Sequence, residues 1–380
     1  MNILKLIQSK KIQSVLWWIL FTLIITKLLF YLISNRQFFT RIFDPVYYGD
    51  LYSKSQYVVG SRSVGGIGDD GLYAFAGYYY LFQKGDVSAV NFEHPPLGKY
   101  LIGLSILIFR NENLINIIYF SILLFVTYKI GNIILKNKLL SLLSVGIISF
   151  DPLFLDNLIR SLLDLPFTLF FILGIYFFLM SLHNAKYHYF SMLFWGISFS
   201  TRFFPALLII YGFLFLVIFL YKRKDLSILI KASFLIPIVY LLSHISFFVY
   251  HPSLVEFLRH KKWMLAWFTG SPKIFGNIWR NIFTGFYIDT TNKLMKNEFW
   301  ILLIPIIIIF SLIPTVKIQK KNSLEFIVLY GLNILYLAYV TILTDGNQKF
   351  MMPIYPMLCI MAVSNFTLLY SIIASWKKSN

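Results

Sequence analysis

The stretch Gly68-Asp69-Asp70-Gly71-Leu72-Tyr73, followed by Phe92-Glu93-His94-Pro95-Pro96-Leu97-Gly98-Lys99, decides how this chain is read. It lies between the first hydrophobic span and all the later ones. An acid at the mouth of a membrane cavity can take a proton from an acceptor hydroxyl or amine, or hold a divalent metal. Asp69 and Asp70 are the candidates for both tasks. Gly65-Gly66-Ile67-Gly68 makes a flexible approach to them. One of the two acids is expected to cap the helix that follows. The segment Leu72 to Phe82 is rich in rings and predicted helical, with a surface suited to the headgroup layer. Pro95 and Pro96 fix the backbone before a helix from Leu97 and so hold His94 in one direction. A neutral His94 can hydrogen-bond the acid, whereas a protonated one can face a phosphate. A purely structural turn is the competing reading. Glu93 and Lys99 flank the turn as substrate-binding candidates, and Lys99 is also placed to meet lipid headgroups.

Outward from this loop the chain reads as a polytopic membrane protein. Of its 380 residues 58% are hydrophobic and only 13% charged, about half the charge of a soluble domain. Apolar spans fall at roughly 14–33, 113–130, 139–150, 162–181, 188–200, 203–220, 229–249, 298–315, 324–343 and 352–373, about ten crossings of an all-α protein. The net charge of +18 raises nucleic acid as a partner, but the positions of the charges exclude it. Lys5, Lys10, Lys11, Lys129, Lys136, Lys138, Lys186, Lys222, Arg223, Lys224, Lys317, Lys320, Lys321, Lys377 and Lys378 fall in the short loops and tails of one side. Asp225 and Glu325 are the acids among them. That bias predicts both termini in the cytoplasm, with an uncleaved first span. The apolar segment 97–109 is short for a crossing, and counting it as one would turn the basic clusters outward. It is therefore expected on the outer surface. The chain then forms one transmembrane domain over 1–380, with outer segments over 34–112 and 250–297.

Further polar residues collect at the same outer face. Asp156, Arg160 and Asp164 are spaced by four and would share a helix face. Arg160 is read either as the ion-pair partner of Asp164 or as a bidentate ligand for a substrate phosphate. Arg202, in Ser200-Thr201-Arg202-Phe203-Phe204-Pro205, is a second phosphate candidate, with interfacial snorkelling as its alternative. Lys349, in Gly346-Asn347-Gln348-Lys349-Phe350, adds another cation to this face. A single cysteine, Cys359, excludes internal disulfides and cysteine metal clusters. No Walker loop or dinucleotide fingerprint occurs, which argues against a soluble nucleotide donor and for a lipid-linked one entering from the bilayer.

The acidic pair Asp69-Asp70, then about two dozen residues, then His94-Pro95-Pro96-Leu97-Gly98-Lys99 resembles the polytopic GT-C-fold glycosyltransferases that use lipid-phosphate-linked sugars. Within them the chain is most similar to the protein O-mannosyltransferase (dolichyl-phosphate-mannose-protein mannosyltransferase) family. Arg160 to Asp164, Thr201-Arg202 and the stretch from Lys349 to Pro356 extend the resemblance. It implies a large first outer loop with juxtamembrane helices, Asp69 as catalytic residue, and Arg202 near the donor phosphate. It also implies an inverting hexosyltransferase of the plasma membrane. The donor would be a polyprenyl- or dolichyl-phosphate sugar, possibly carrying mannose, and the acceptor a hydroxyl on protein or glycan at the extracytoplasmic face. One alternative is a lipid- or glycan-modifying transferase of the aminoarabinose type, against which His94 weighs because such enzymes usually have a different turn before Pro-Pro. Another is a transporter or flippase, which predicts inverted repeats and broken midplane helices that are not seen in the sequence.

Overall fold

Residues 10–379 are described in the computed structural model, except 271, 290 and 314–323, with side chains described as far as Tyr370. Lys5, Lys317, Lys320 and Lys321, and the side chains of Lys377 and Lys378, lie outside the described residues. The first apolar run forms helix α1 (Lys10–Ser34), whose surface is mostly exposed and whose one buried residue is Ile24. Exposed Trp18, Leu23, Phe30 and Ile33 are what a lipid-facing helix presents. After α2 (Pro45–Ser53) come the two helices of the motif, α3 (Asp69–Phe82) and α4 (Leu97–Phe109). Then follow α5 (Leu114–Leu135), α6 (Lys138–Ser149), α7 (Pro152–Ile159), α8 (Asp164–Ser181), α9 (Tyr187–Thr201) and α10 (Ala206–Tyr221).

Local chemistry sets these boundaries. Asn137 accepts from the backbone N–H groups of Leu139 (2.9 Å) and Leu140 (3.1 Å), which starts α6 directly after α5. Asp151 caps α7 through Leu153 N–H (3.0 Å), and Pro152 fills its first position. The pair α6–α7 is bent by 61° at this cap. The run continues through α11 (Leu226–Ser233), α12 (Leu235–Ser243), α13 (Ile245–Tyr250), α14 (Leu254–Gly270) and α15 (Asn277–Thr284). Strands β1 (Phe286–Ile288) and β2 (Leu294–Lys296) pair antiparallel, with Tyr287 opposite Met295. Helices α16 (Leu303–Leu312), α17 (Leu324–Leu343) and α18 (Tyr355–Ser379) end the chain.

The protein is an all-α multi-pass membrane protein, with one departure from the sequence reading. Among the described residues five helices are long and apolar enough to cross a bilayer, or six if the bent pair is one span, so ten crossings are not reached on that measure. The shortfall comes from helices such as α10 (16 residues) and α16 (10 residues), below the roughly 20 needed. Among the described residues the small β1–β2 hairpin, within 250–297, is the one sheet of an otherwise all-α chain.

Two cores result. A large one joins the apolar spans, with Phe171, Phe178, Trp195 and Tyr336 at its centre. A smaller one joins residues of the 34–112 segment to α13 and α14 and holds Leu72, Tyr73, Tyr80, Ile102, Phe247 and Phe257. The rings of α3 are thus partly turned inward, with Tyr73 and Tyr80 buried rather than set in a headgroup layer. The cause is a close helix crossing. A Cβ on Gly77 would stand 2.4 Å from the Lys99 carbonyl oxygen, and one on Gly103 would stand 2.4 Å from that of Gly77. Only glycine on both helices lets α3 and α4 approach this closely.

Candidate active site

Asp69 and Asp70 open helix α3, and Gly68 is its N-cap, so neither acid is the cap the sequence suggested. They point to different tasks. The Asp70 carboxylate accepts from the N–H of Gly71 (2.9 Å), and its carbonyl accepts from Ser161 Oγ (2.8 Å). Asp70 thereby fixes α3 to the turn between α7 and α8. Asp69 is 51% exposed, and its Oδ2 lies 3.9 Å from Lys349 Nζ. Both carboxylates occupy the first turn of the helix, where the aligned backbone dipoles favour negative charge.

Lys349 sits in a short helical turn over 348–351, reached after α17. Its ammonium lies over the Phe350 ring at 5.9 Å, and the Arg202 guanidinium lies over the same ring at 5.4 Å. Burial, together with Arg202, holds the Lys349 ammonium below its usual range, while Asp69 opposes the shift. Arg202 follows the last turn of α9 and forms an ion pair with Asp164, the first residue of α8. Both side chains are nearly enclosed, at 11% and 9% exposure. The expected pairing is therefore exchanged. Asp164 binds Arg202, while Arg160 Nε pairs with Asp156 Oδ1 at 3.1 Å. Helix α7 ends at Ile159 and Arg160 is extended, so Asp156, Arg160 and Asp164 do not share a helix face. Arg160 stands on the Asp70 side of the site, half exposed, next to Ser161.

The His94 turn closes the site from the other side. The His94 ring meets Tyr73 edge-on at 6.1 Å and Phe268 at 5.9 Å. Its Nδ1 is buried with no hydrogen-bond partner in the structure. Burial first, then the cations Arg202, Lys99 and Lys349, hold its pKa well below the usual 6.5, so the ring is neutral at pH 7. Glu93 is buried, accepts from the Asn91 amide, and is raised by burial despite nearby Lys99. Lys99 is 0% exposed. Its ammonium donates to the carbonyl of His94 (2.8 Å), to Asn91 Oδ1 (3.0 Å) and to the Asn91 carbonyl. Lys99 is placed as the anchor of the 91–94 loop and does not reach the headgroup layer. Beside it, a Cβ on Gly98 would meet Leu163 at 2.7 Å and the Thr201 carbonyl at 3.1 Å, so α4 begins directly against the Arg202 turn.

Arg202 and Lys349 line a small hollow with Phe203, Phe268 and Tyr339. The same three rings also line a cavity of about 610 Å³ walled by Leu207, Leu208, Ile236, Pro237 and Leu343. An ammonium and a guanidinium thus stand at the end of an apolar groove, with the Asp69 carboxylate beside them.

With this geometry, comparison shows a shared architecture. The fold is similar to that of ArnT. The crystal structure of ArnT from Cupriavidus metallidurans in the apo state matches with a TM-score of 0.55 at 12% identity, over 79% of this chain and 55% of that one. ArnT from the same organism bound to undecaprenyl phosphate matches with a TM-score of 0.54 at 14% identity, over the same shares. The chain spans about half the length of these solved structures, and at such identity the likeness is one of fold. The dolichyl-phosphate-mannose-protein mannosyltransferase family matches residues 93–255, from Glu93 of the turn to the start of α14. No curated protein matches the sequence. The chain is a polytopic membrane protein whose fold is similar to that of ArnT.

A divalent metal at Asp69 and Asp70 would have to complete its shell with waters or substrate phosphate oxygens. Among the described residues no group of three His, Cys, Asp or Glu side chains is placed to hold one. The sequence reading did not anticipate Phe268, Phe350, Tyr336 and Tyr339 around the cations, or Ser161 on Asp70. Phe350 could have been found from its place beside Lys349, but the others carry no local signal.

Proposed function

We propose that the protein transfers a sugar from a polyprenyl-phosphate donor to an acceptor on the extracytoplasmic side of the membrane. The observation that carries this reading is Asp69 beside Lys349 and Arg202 at the polar end of the 610 Å³ apolar cavity. The cavity suits an isoprenoid chain, and the two cations suit its phosphate. Asp69 orients and deprotonates the acceptor hydroxyl as it attacks the anomeric carbon. The lipid phosphate leaves already ionised, stabilised by Arg202 and Lys349, and needs no general acid. One displacement inverts the anomeric centre. Neutral His94 and buried Glu93 shape the wall on which the acceptor approaches, and Arg160 is a reserve cation on the Asp70 side.

For the acceptor, likeness in fold to ArnT favours a lipid- or glycan-modifying enzyme over a protein mannosyltransferase. The match to the mannosyltransferase family covers only 93–255, so it supports mannose and a protein acceptor less. The basic inner loops support an extracytoplasmic site with both termini inside. The test is to incubate purified protein with undecaprenyl-phosphate-linked sugars and a panel of lipid, glycan and peptide acceptors, read by mass spectrometry. Release or transfer of the sugar is expected. A protein that folds, binds no polyprenyl phosphate and transfers nothing refutes the reading.

A further inference from the structure

A second concavity lies on the far side of α14 from the apolar cavity, and its lining is of a different kind. Two adjoining hollows of about 530 and 600 Å³ share Phe92 and Trp263. Trp263 is 69% exposed, and Trp267, four residues on and so on the same helix face, is 52% exposed. Phe92 stands edge-on to Trp267 (6.5 Å) and to His260 (6.2 Å). Around these rings stand Ser88, His251, Glu256 and Arg259. His251 Nε2 bonds Asp86 Oδ2 at 2.7 Å, and its Nδ1 lies 3.4 Å from Glu256 Oε2, which fixes this polar rim.

We infer that the hollow of Phe92, Trp263 and Trp267, rimmed by Ser88, Glu256 and Arg259, binds the carbohydrate part of the acceptor. The chemistry of the lining selects this class. A lipid chain wants a long, mostly apolar wall, as in the 610 Å³ cavity, whereas here an apolar half with Phe92, Trp263 and Trp267 adjoins a polar half with Ser88, His251, Glu256 and Arg259. A pyranose has a C–H face that lies on an indole and a belt of hydroxyls that needs both donors and acceptors, and both are present here. An extended peptide would seek an unpaired strand edge, and none lines these hollows. Position links the hollow to the reaction. Phe92 directly precedes Glu93 and His94, while Phe268, next to Trp267 on α14, touches the His94 ring at 5.9 Å. A saccharide held on Phe92 and Trp267 therefore lies one side chain away from the turn that walls the candidate site.

The inference rests on the transferase reading, and two separate measurements distinguish their failures. The full chain in nanodiscs is applied to immobilised hexose and N-acetylhexosamine oligosaccharides. The best binder is then titrated by tryptophan fluorescence, and undecaprenyl phosphate binding is followed by native mass spectrometry. Trp263→Ala with Trp267→Ala should weaken saccharide binding about tenfold or more, as expected for losing two aromatic contacts, and leave undecaprenyl phosphate binding unchanged. Glu256→Gln, a milder change that keeps the fold, should weaken it as well. Binding of undecaprenyl phosphate with no saccharide binding overturns the inference and leaves the transferase reading standing. So does saccharide binding that both variants keep at full strength, or displacement by serine- and threonine-containing peptides. Saccharide binding without undecaprenyl phosphate binding supports the hollow and removes the transferase.

Discussion

Replacing Asp69 with asparagine separates catalysis from folding more cleanly than any other change at the site. The carboxylate is half exposed, and its described ion pair to Lys349 is 3.9 Å long. Opposite charges about 4 Å apart are worth about 1 kcal/mol in water, and exposed pairs contribute roughly 0–1 kcal/mol. Losing this charge should lower Tm by no more than about 4 °C. A positioned general base contributes about 10²–10⁴ in rate, equivalent to roughly 3–5 kcal/mol of barrier. Asp69→Asn should therefore lose turnover by at least a hundredfold while folding and donor binding persist. Asp164→Asn is the contrasting case. Its pair with Arg202 is nearly enclosed, and stripping one partner from a buried pair costs about 3–5 kcal/mol, so that variant should fail first in stability. Turnover of an undecaprenyl-phosphate-linked sugar by mass spectrometry and unfolding by scanning fluorimetry, in one detergent, give both readings. Asp69→Asn retaining more than about a tenth of parental turnover, or losing turnover only in step with folded protein, refutes its role as base.

Further expectations test the rest of the site. Lys349→Gln should weaken polyprenyl-phosphate binding about ten- to a hundredfold, the worth of a charged hydrogen bond, with Lys349→Arg recovering most of it in the same binding assay. Gly77→Val should destabilise by about 1–3 kcal/mol or more, because its side chain would overlap the Lys99 carbonyl, and a lower Tm checks it. His94 is held neutral, with a folded pKa below 6.5, so an unfolded chain binds more protons as pH falls through 6.5. Stability should therefore drop below pH 6.5, and His94→Gln should lessen that drop in fluorimetry across pH 4.5–7. Cysteines placed at Lys273 and Arg223 should react with an impermeant thiol reagent from outside and only after permeabilisation, respectively. Cys359, being buried, can stay in place, and labelling of position 223 in intact cells would invert the topology.

Much of the site could be read locally. The acids at the start of a helix, the His-Pro-Pro turn and the helix from Leu97 are specified by neighbouring residues, and the structure has each of them. What failed needed distance information. The Arg202–Asp164 pair joins the end of α9 to the start of α8, and charge spacing offered Arg160 as the nearer partner. Lys99 looked like a headgroup ligand because its helix begins at an interface. Its buried bonds to Asn91 and His94 depend on a loop fold that no periodicity reports. The ring-rich run from Leu72 to Phe82 is apolar on most sides, so its pattern does not choose between core and lipid. The Gly77–Gly103 crossing made that choice.

The approach of Lys349 to Asp69 has a consequence for how the protein is made. It joins the first outer segment to the residues just before the last helix. A chain emerging from the ribosome carries Asp69 early and gains the facing Lys349 ammonium only after α3 to α17 have been made. Until then the small hollow lacks Lys349 and has Arg202 as its described cation. A chain cut before Lys349 should thus hold a polyprenyl phosphate more weakly than one that carries it. Insertion of α17 and assembly of this acid–ammonium pair become a single event.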